Sequence, residues 1–523
     1  MIRAIPQLWR LLRTGATFER TGAMRELLDA LGVHGWPRFA LRAMARPFGL
    51  FGRRGDADLP PVARALQAMG PAYVKFGQIL STRPDIVGPE IVAQLRVLQD
   101  RLPPFPIAEA RAIIAADLGP AAAALIEDLG EPVAAASIAQ VHPARWGPTG
   151  AKVAVKVLRP DVARQFRRDI GTFYFIAGVV ETLLPASARL RPNAVVQHFE
   201  GVVLTELDLR LEAAAASEFR DNAKADQTIK VPQIFWEGTG RRMLTMEWVD
   251  GLPMDPDVLR AAGHDVTELA LRVIRVFLSD ALRNGYFHAD MHQGNLRVTP
   301  DGALVILDFG IMGRLDPITR RHYAEILYGF LTRNYRRVAE VHFEAGYVPA
   351  DRDVEAFAQA LRSIGEPIFG QDLSRISLAR LLAHLFETTE RFGMATRTEL
   401  ILLQRTMVVV EGVARSLDPN SNIWKAAAPV VEGWIFDNMG PRQVFRDLGE
   451  VATILRRLGP RLPGVAQELV SLAEEARTQR LRGPIAVEVQ RLPVPRVNYR
   501  LFRVFAIGIL LGAGLALLLG QML

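Results

Sequence analysis

The chain has 523 residues, half of them hydrophobic, and contains no cysteine. At roughly 150 residues per domain this length predicts several structural units. The lack of cysteine excludes disulfides, zinc–thiolate sites, iron–sulfur clusters and a cysteine nucleophile. The net charge of +7 is concentrated in residues 1–54, which hold ten arginines and three acidic residues. A basic arm on a neutral body predicts anionic membrane headgroups as a partner, and because no RNA-binding, zinc-finger or basic-zipper pattern follows, we expect no nucleic acid.

Residues 1–128 are predicted to form a helical N-terminal extension. Ile5, Leu8, Trp9 and Leu12 recur at helical spacing with arginines between them, which is an amphipathic pattern. Such a helix lies either on the protein's own body or in a membrane interface. The first residues lack the apolar core of a signal peptide, so we do not expect secretion.

Residues 129–250 predict a small antiparallel sheet with helices. The strand-like segments are 133–142, 152–158, 231–238 and 243–249, and the Gly-Pro-Thr-Gly turn at 147–150 joins the first two as a hairpin. The alanine-rich segment 204–219 predicts one helix.

Residues 251–430 predict a mostly helical unit with one hairpin. Segments 295–299 and 303–309 are strand-like, and Asp301-Gly302 is a suitable hairpin turn between them. Further helix and a proline-marked linker are expected over 431–500.

A membrane helix is predicted at 501–523. Residues 504–523 carry no charge, and arginines precede them. A helix of this length can cross a hydrocarbon core of about 30 Å. The positive-inside rule then predicts a single-pass protein of the inner membrane with its large part in the cytoplasm. Small residues recur every fourth position on this helix and predict a homodimer contact; they are Gly508, Gly512, Ala516 and Gly520.

The strongest chemical signal is a pair of segments that supply three oxygen-bearing side chains. Asp290 lies five residues before Asn295, and Asp308 begins Asp-Phe-Gly after a strand-like run. Phosphoryl transfer from ATP needs a carboxylate near the attacking oxygen and an amide plus a second carboxylate for Mg²⁺. We therefore predict Asp290 as the catalytic carboxylate and Asn295 and Asp308 as metal ligands.

Lys156 is the predicted phosphate-binding lysine. It lies in Val-Ala-Val-Lys-Val, which matches the kinase strand pattern, and only six of the 63 basic residues are lysines. Glu212 is predicted as its ion-pair partner on the 204–219 helix. Glu206 and Asp208 are predicted as a further acidic pair near the phosphates, and Glu247 as a nucleotide contact.

Three parts that kinases use for protein substrates are missing. Ala134, Ala135, Ala136 and Ser137 stand where a glycine-rich phosphate loop is expected, and alanine does not adopt positive φ freely. The sequence His288-Ala289-Asp290 lacks an arginine that reads an activation-loop phosphate. No Ala-Pro-Glu follows Asp308 at a suitable distance.

Together these motifs resemble the UbiB family of atypical protein kinase-like ATPases. Its KxGQ signature is similar to Lys75-Phe76-Gly77-Gln78, and its ExD motif to Glu206-Leu207-Asp208. The resemblance implies an α+β, two-lobed protein kinase-like fold that binds ATP or ADP with Mg²⁺. It also implies that KxGQ helices pack over the active site, so that Lys75, Gly77, Gln78, Glu206 and Asp208 are regulatory. The family's alanine-rich nucleotide loop resembles Val133, Ala134, Ala135, Ala136, Ser137, Ile138, Ala139, Gln140 and Val141.

The activity that this resemblance implies is ATP hydrolysis at the membrane in support of ubiquinone biosynthesis. The expected partners are quinone-pathway intermediates and enzymes. Two alternatives stay open: a kinase that phosphorylates a protein or small molecule at the membrane, and a nucleotide-sensing scaffold for the biosynthetic enzymes.

Overall fold

The computed structural model describes residues 4–30, 39, 51–81, 84–95, 97–98, 103–183, 192–370, 388, 391–394 and 398–439. The predicted membrane helix at 501–523, its small-residue stripe and all but the first nine residues of the 431–500 region lie outside this set. Over the ranges just given, no helix has the length and apolar character needed to cross a bilayer.

Helices make up most of the described part of the N-terminal extension, as predicted. They are α1 (Ala4–Thr21), α2 (Ala23–Ala30), α3 (Pro61–Met69), α4 (Pro71–Leu80), α5 (Pro84–Leu95), α6 (Ile107–Leu118) and α7 (Pro120–Ala123). The KxGQ residues lie on α4, where Gly77 permits close packing. A Cβ on Gly77 would lie 2.6 Å from Leu66 Cδ1 and 2.5 Å from Leu98 Cδ1.

The strands form three sheets. In chain order they are β1 (Ile126–Glu127), β2 (Ala134–Ala135), β3 (Ala139–Trp146), β4 (Ala151–Leu158), β5 (Ile229–Lys230), β6 (Met243–Glu247), β7 (Leu252–Pro253), β8 (Tyr286–His288), β9 (Leu296–Val298), β10 (Leu304–Ile306) and β11 (Met312–Arg314). The first sheet is antiparallel in the order β1-β3-β4-β6, with β2 also paired to β3. The second has the order β5-β10-β9-β7, and β8 pairs with β11.

The remaining helices surround these sheets. They are α8 (Val162–Leu183), α9 (Pro192–Glu206), α10 (Leu209–Ala223), α11 (Pro256–Ala261), α12 (Val266–Ser279), α13 (Pro317–Leu331), α14 (Tyr335–Glu344), α15 (Val354–Gly370), α16 (Thr398–Leu417) and α17 (Ile423–Met439). A single apolar cluster joins buried residues of α3, α4 and α8–α10 with those of α12, α13, α16 and α17. The N-terminal extension thus shares its core with the rest of the described chain.

Side-chain alternation along β4 separates packing from chemistry. Val153, Val155 and Val157 are fully buried in a cluster that includes Ile113 of α6. Successive strand residues point to opposite faces, so Lys156 projects from the face away from α6. The predicted hairpin at 147–150 is confirmed, since β3 and β4 pair in full antiparallel register on either side of it.

The second predicted hairpin is also confirmed. β9 and β10 are antiparallel, with Leu304 opposite Val298, and Gly302 in the connecting turn has φ near +87°. That backbone conformation favours glycine. The hairpin carries Asn295 at the start of one strand and Asp308 just beyond the end of the other, which brings these two residues together.

Two sequence expectations about secondary structure were wrong. The predicted helix 204–219 is two helices, because Asp208 has an extended backbone and its carboxylate accepts a hydrogen bond from Arg210 N, which caps α10. On α10, Leu211 is about half exposed, whereas Leu209 and Phe219 are buried. Segment 231–238 is not a strand, and it contributes one bridge, between Ile234 and Met246, and a 3₁₀ turn.

Asp280 follows α12 in a π-helical turn, and its burial makes the folding stability of the protein depend on pH. It is 5% exposed, its Oδ1 accepts from Asn284 Nδ2, and its Oδ2 has no hydrogen-bond partner. Burial raises its pKa to about 7. A raised folded-state pKa means that the group's stabilising contribution is complete below the unfolded pKa of about 4 and is lost as the pH rises through 7.

We therefore expect Asp280→Asn to match wild-type stability near pH 4 and to exceed it by on the order of 3 kcal/mol near pH 8. The free energy of unfolding in urea at several pH values measures this difference. The exposed Asp257→Asn is the matched control. A difference that stays constant between pH 4.5 and 8 would contradict the buried, uncompensated carboxylate.

Candidate active site

Lys156 is the centre of a buried ion-pair cluster. Its Nζ lies 2.6 Å from Glu212 Oε1 on α10 and 3.2 Å from Asp308 Oδ2. The predicted pairing of Lys156 with Glu212 is therefore confirmed. The two carboxylates differ in access, since the Glu212 side chain is 8% exposed and that of Asp308 is 43% exposed. Asp308 is therefore the solvent-accessible carboxylate of the two.

The electrostatics of the cluster follow from burial and shared charge. Burial disfavours the ammonium of Lys156, but Asp308 and Glu212 together outweigh burial and raise its pKa above the usual value. Burial also acts on Asp308, yet Lys156 and the Gly310 N–H hold its pKa well below the usual range. For Glu212, burial outweighs the attraction of Lys156 and raises the pKa to about 7. Asp308 is thus the firmly ionised partner.

His288 connects the Asp290 loop with Asp308. Its Nδ1 accepts a hydrogen bond of 3.1 Å from Asp290 N, so in the neutral ring the proton is on Nε2, which donates to the Asp308 carbonyl oxygen. Burial lowers the His288 pKa, which favours this neutral form. One imidazole therefore fixes the backbone on both sides of the site. No separate role was predicted for His288, although its spacing of two from Asp290 was a usable signal.

Asn295 and Asp308 fit a magnesium site by the chemistry of their donors. Asn295 Nδ2 donates to the Asp290 carbonyl oxygen at 3.0 Å, which leaves Asn295 Oδ1 as an acceptor, and Leu307 N donates to the Asn295 carbonyl oxygen at 3.0 Å. Mg²⁺ takes oxygen ligands and is commonly bound by one or two protein side chains together with substrate phosphates. In the described part of the chain, no group of three or more acidic or histidine side chains forms a metal-binding cluster, so water molecules or phosphate oxygens would complete the shell around this pair.

The alanine-rich segment is a short hairpin beside Lys156. Ala134 and Ala135 in β2 pair with Val141 and Gln140 in β3, and Ala136 N donates to Ala139 O at 2.8 Å. Val141 lies opposite Lys156 in the sheet register. The hairpin is braced from two sides. Arg159 Nε donates to Ala136 O at 3.0 Å, and the buried Gln140 exchanges two hydrogen bonds with the Phe105 backbone.

The KxGQ and ExD residues meet through one ion pair. Lys75 Nζ lies 2.8 Å from Glu206 Oε1, and both side chains are largely buried. Burial raises the Glu206 pKa, with Lys75 opposing that shift and the Asp308 charge adding to it. Gln78 Nε2 contacts the Leu98 carbonyl oxygen at 3.5 Å.

Asp208 does not join this cluster. Besides capping α10, its carboxylate pairs with Arg210 at 2.6 Å and lies 4.0 Å from Arg241. Glu206 and Asp208 thus have different partners, and their predicted role as an acidic pair near the phosphates stays a prediction. Glu247 ends β6 and pairs with Lys230 at 2.7 Å, so its predicted nucleotide contact stays a prediction.

Comparisons with known proteins agree with this architecture. The model of the ABC1 atypical kinase-like domain matches residues 97–342, and that of the UbiB helical domain matches residues 361–422. The first range spans the chain from the residues before α6 into α14, and the second includes α16.

Relatives cover most of the chain. A protein of Aeromonas salmonicida named Probable protein kinase UbiB is 40% identical over 443 residues, which are 83% of this chain and 80% of the relative. A protein of the same name from Xanthomonas axonopodis pv. citri is 37% identical over 510 residues, 94% of this chain and 90% of the relative. Among solved structures, the Rv3197–erythromycin complex from Mycobacterium tuberculosis has a TM-score of 0.48 at 26% identity and covers 68% of this chain and 90% of its own. The chain belongs to the UbiB family of atypical kinases, with a kinase-like α+β fold.

Proposed function

We propose that this protein is a membrane-anchored ATPase that supports ubiquinone biosynthesis. The observation that carries the proposal is one continuous network around Asp308. Lys156 bonds its carboxylate, His288 bonds its carbonyl oxygen and Asp290 N, and Asn295 bonds the Asp290 carbonyl oxygen. These are the groups that phosphoryl transfer from ATP requires.

In this reaction Asp290 orients a water molecule and accepts its proton as the water oxygen bonds to the terminal phosphorus. The bond from that phosphorus to the bridging oxygen breaks, ADP leaves with the electron pair, and the proton passes to solvent. Lys156, oriented by Glu212, binds phosphate oxygens. Mg²⁺ bound by Asn295 and Asp308 would supply charge neutralisation of the phosphates.

The hairpin at 133–141 supports hydrolysis rather than transfer to a peptide. Its alanines and the Arg159 bond to Ala136 O restrict the backbone near the phosphates. The Lys75–Glu206 pair also ties α4 of the extension to the end of α9. The family resemblance implies that this extension packs where an ordinary kinase receives its peptide.

The membrane and quinone parts of the proposal rest on sequence and family. Residues 504–523 are uncharged and follow arginines, and the first 54 residues carry the net positive charge. A polyprenylated intermediate partitions into the bilayer, so an enzyme that handles it is best placed at that surface.

A second candidate is a kinase with a protein or small-molecule acceptor. The relatives' name, Probable protein kinase UbiB, favours it. It predicts that label from the terminal phosphate of ATP appears on an acceptor, whereas our proposal predicts that the label appears as inorganic phosphate.

Asp290→Asn tests the proposed activity. Removing the proton acceptor should lower Mg²⁺-dependent ATP hydrolysis by roughly 100-fold or more, with nucleotide affinity nearly unchanged. Steady-state phosphate release, measured with anionic vesicles present, gives the rate, and the exposed Asp257→Asn is the control. Equal rates for wild type and Asp290→Asn would refute the assignment.

Expression of Asp290→Asn and Asp308→Asn in cells that lack the protein distinguishes a catalytic role from a scaffolding role. Wild type should restore quinone content, whereas Asp290→Asn and Asp308→Asn should not. Restoration by Asp308→Asn would favour a nucleotide-sensing scaffold.

An ion pair attaches α10 to β11, the strand that follows Asp-Phe-Gly. Arg314 Nη2 lies 2.8 Å from both carboxylate oxygens of Glu218, and the Arg314 guanidinium stacks 4.5 Å from the Tyr286 ring centre. Phe219, beside Glu218 in α10, packs 5.5 Å from Phe309. These contacts hold one end of α10 while Glu212 holds the other to Lys156.

We expect Glu218→Arg and Arg314→Glu each to lower ATP turnover by up to about fivefold, because an exposed pair is worth at most about 1 kcal/mol. The double variant should recover part of the loss, since the charges are restored but the Tyr286 contact is not. A double-mutant cycle on turnover and stability measures the coupling, with the exposed Arg336–Glu340 pair as control. Strictly additive losses would mean that the pair does not position α10.

A further inference from the structure

The family-specific helix α16 lies directly against the Asp290 loop. Thr406, at its middle, is fully buried, and its Oγ1 lies 3.1 Å from the Ala289 carbonyl oxygen. Ala289 immediately precedes Asp290 and is itself 2% exposed. This contact joins residues 117 positions apart in the sequence. It connects the range that matches the kinase-like domain with the range that matches the helical domain.

A second contact attaches the same helix to the other side of the loop. Gln293 Nε2 donates to Ser416 Oγ, near the end of α16. Asp290 therefore lies between two points at which the loop is bonded to one helix. Leu403 and Val410 of α16 are fully buried in the main core, so the helix itself is firmly placed.

The Thr406 hydroxyl has a single hydrogen and two carbonyl acceptors. It also lies 2.8 Å from the Leu402 carbonyl oxygen, four residues earlier in α16. Such an i−4 bond is the ordinary local partner of a helical threonine, and one hydrogen can be shared between two acceptors in a three-centre bond. The bond to Ala289 O is the additional one. Together with the bond from Asp290 N to His288, it holds both polar groups of the peptide that joins Ala289 to Asp290.

We propose that Thr406 is a positioning residue for Asp290, through which the helical domain sets the geometry of the catalytic loop. The proposal rests on the proposed ATPase activity. Loss of the hydroxyl leaves the Ala289–Asp290 peptide bonded to His288 through Asp290 N but removes the bond to its carbonyl oxygen, so that its orientation is less tightly fixed. A displacement of about 1 Å at a reacting group costs roughly 100-fold in rate, so the effect should fall on turnover and not on nucleotide affinity.

The experiment compares three variants of the full chain. Thr406→Val keeps shape and removes the hydroxyl, Thr406→Ser keeps the hydroxyl, and Thr172→Val is the matched control. Thr172 is also buried and bonds only its i−4 carbonyl, Arg168 O, at 3.4 Å. The readouts are ATP turnover, ADP affinity, melting temperature and amide hydrogen exchange of peptides that cover residues 286–296.

We expect Thr406→Val to lower turnover about 10- to 100-fold, with ADP affinity within about twofold, and to speed exchange across the loop. Thr406→Ser should restore turnover to within about threefold of wild type, and Thr172→Val should change only melting temperature. If Thr406→Val does not fold, Thr406→Ala, which cannot overpack, takes its place in the comparison.

Two results would overturn the inference while leaving the proposed function standing. One is wild-type turnover in Thr406→Val when Asp290→Asn is inactive. The other is equal loss in Thr406→Val and Thr406→Ser, which would show that the methyl packing and not the hydroxyl matters. If wild type and Asp290→Asn turn over ATP equally, the proposed function fails instead, and the exchange data alone decide whether Thr406 holds the loop.

Discussion

The site depends on one ammonium group shared by two carboxylates of unequal access. Lys156 reaches Glu212, which is buried, and Asp308, which is 43% exposed. A buried charge is stable only when paired and hydrogen-bonded, so the arrangement of α10 and of the loop after β10 is fixed by the same ammonium. In the proposed nucleotide complex, phosphate oxygens would replace Asp308 as the partner of Lys156, because Glu212 is only 8% exposed and would lose its ion pair with little water to compensate.

The charge balance of this cluster explains why the N-terminal extension belongs to the site. The carboxylates of Glu206, Glu212 and Asp308 are close enough to repel one another. Burial, together with the charge of Asp308, raises the pKa of both glutamates. Lys156 alone does not balance three carboxylates. Lys75 of α4, 2.8 Å from Glu206, supplies a second positive charge, so the extension contributes one of the two ammonium groups that pair with these three carboxylates. Mutual packing of α4 with α8 and α9 through Phe76, Phe173 and Phe199 holds this lysine in place.

Much of the site was predictable because its signals are local. The valine alternation of β4 already placed Lys156 on one face, and the hairpin between β9 and β10 was readable from its turn. The break at Asp208 was readable as well: aspartate is a strong helix N-cap, but the alanine-rich composition of 204–219 concealed it. The consequence is chemical, since capping commits Asp208 to α10 and Arg210 and separates it from Glu206.

Contacts between distant segments were not predictable in the same way. No local pattern marks Thr406, whose sequence surroundings are those of any amphipathic helix, and its partner is the carbonyl oxygen of an alanine. Arg314 and Glu218 are likewise ordinary charged residues until the chain brings β11 beside α10. The motif residues indicate the chemistry. The groups that orient those residues are backbone carbonyl oxygens and the side chains that donate to them, which a single sequence does not reveal.

The loop that carries Asp290 is held from two directions by uncharged hydrogen-bonding groups. On the core side, His288 accepts a hydrogen bond from Asp290 N through a ring whose neutral form is favoured by burial. On the other side, the Thr406 hydroxyl of α16 donates to the Ala289 carbonyl oxygen, and Gln293 Nε2 of the loop donates to Ser416 Oγ of α16. None of these groups carries a charge at neutral pH. A loop held by uncharged partners keeps its geometry when phosphate charges arrive beside it, because none of those partners is attracted away by the phosphates.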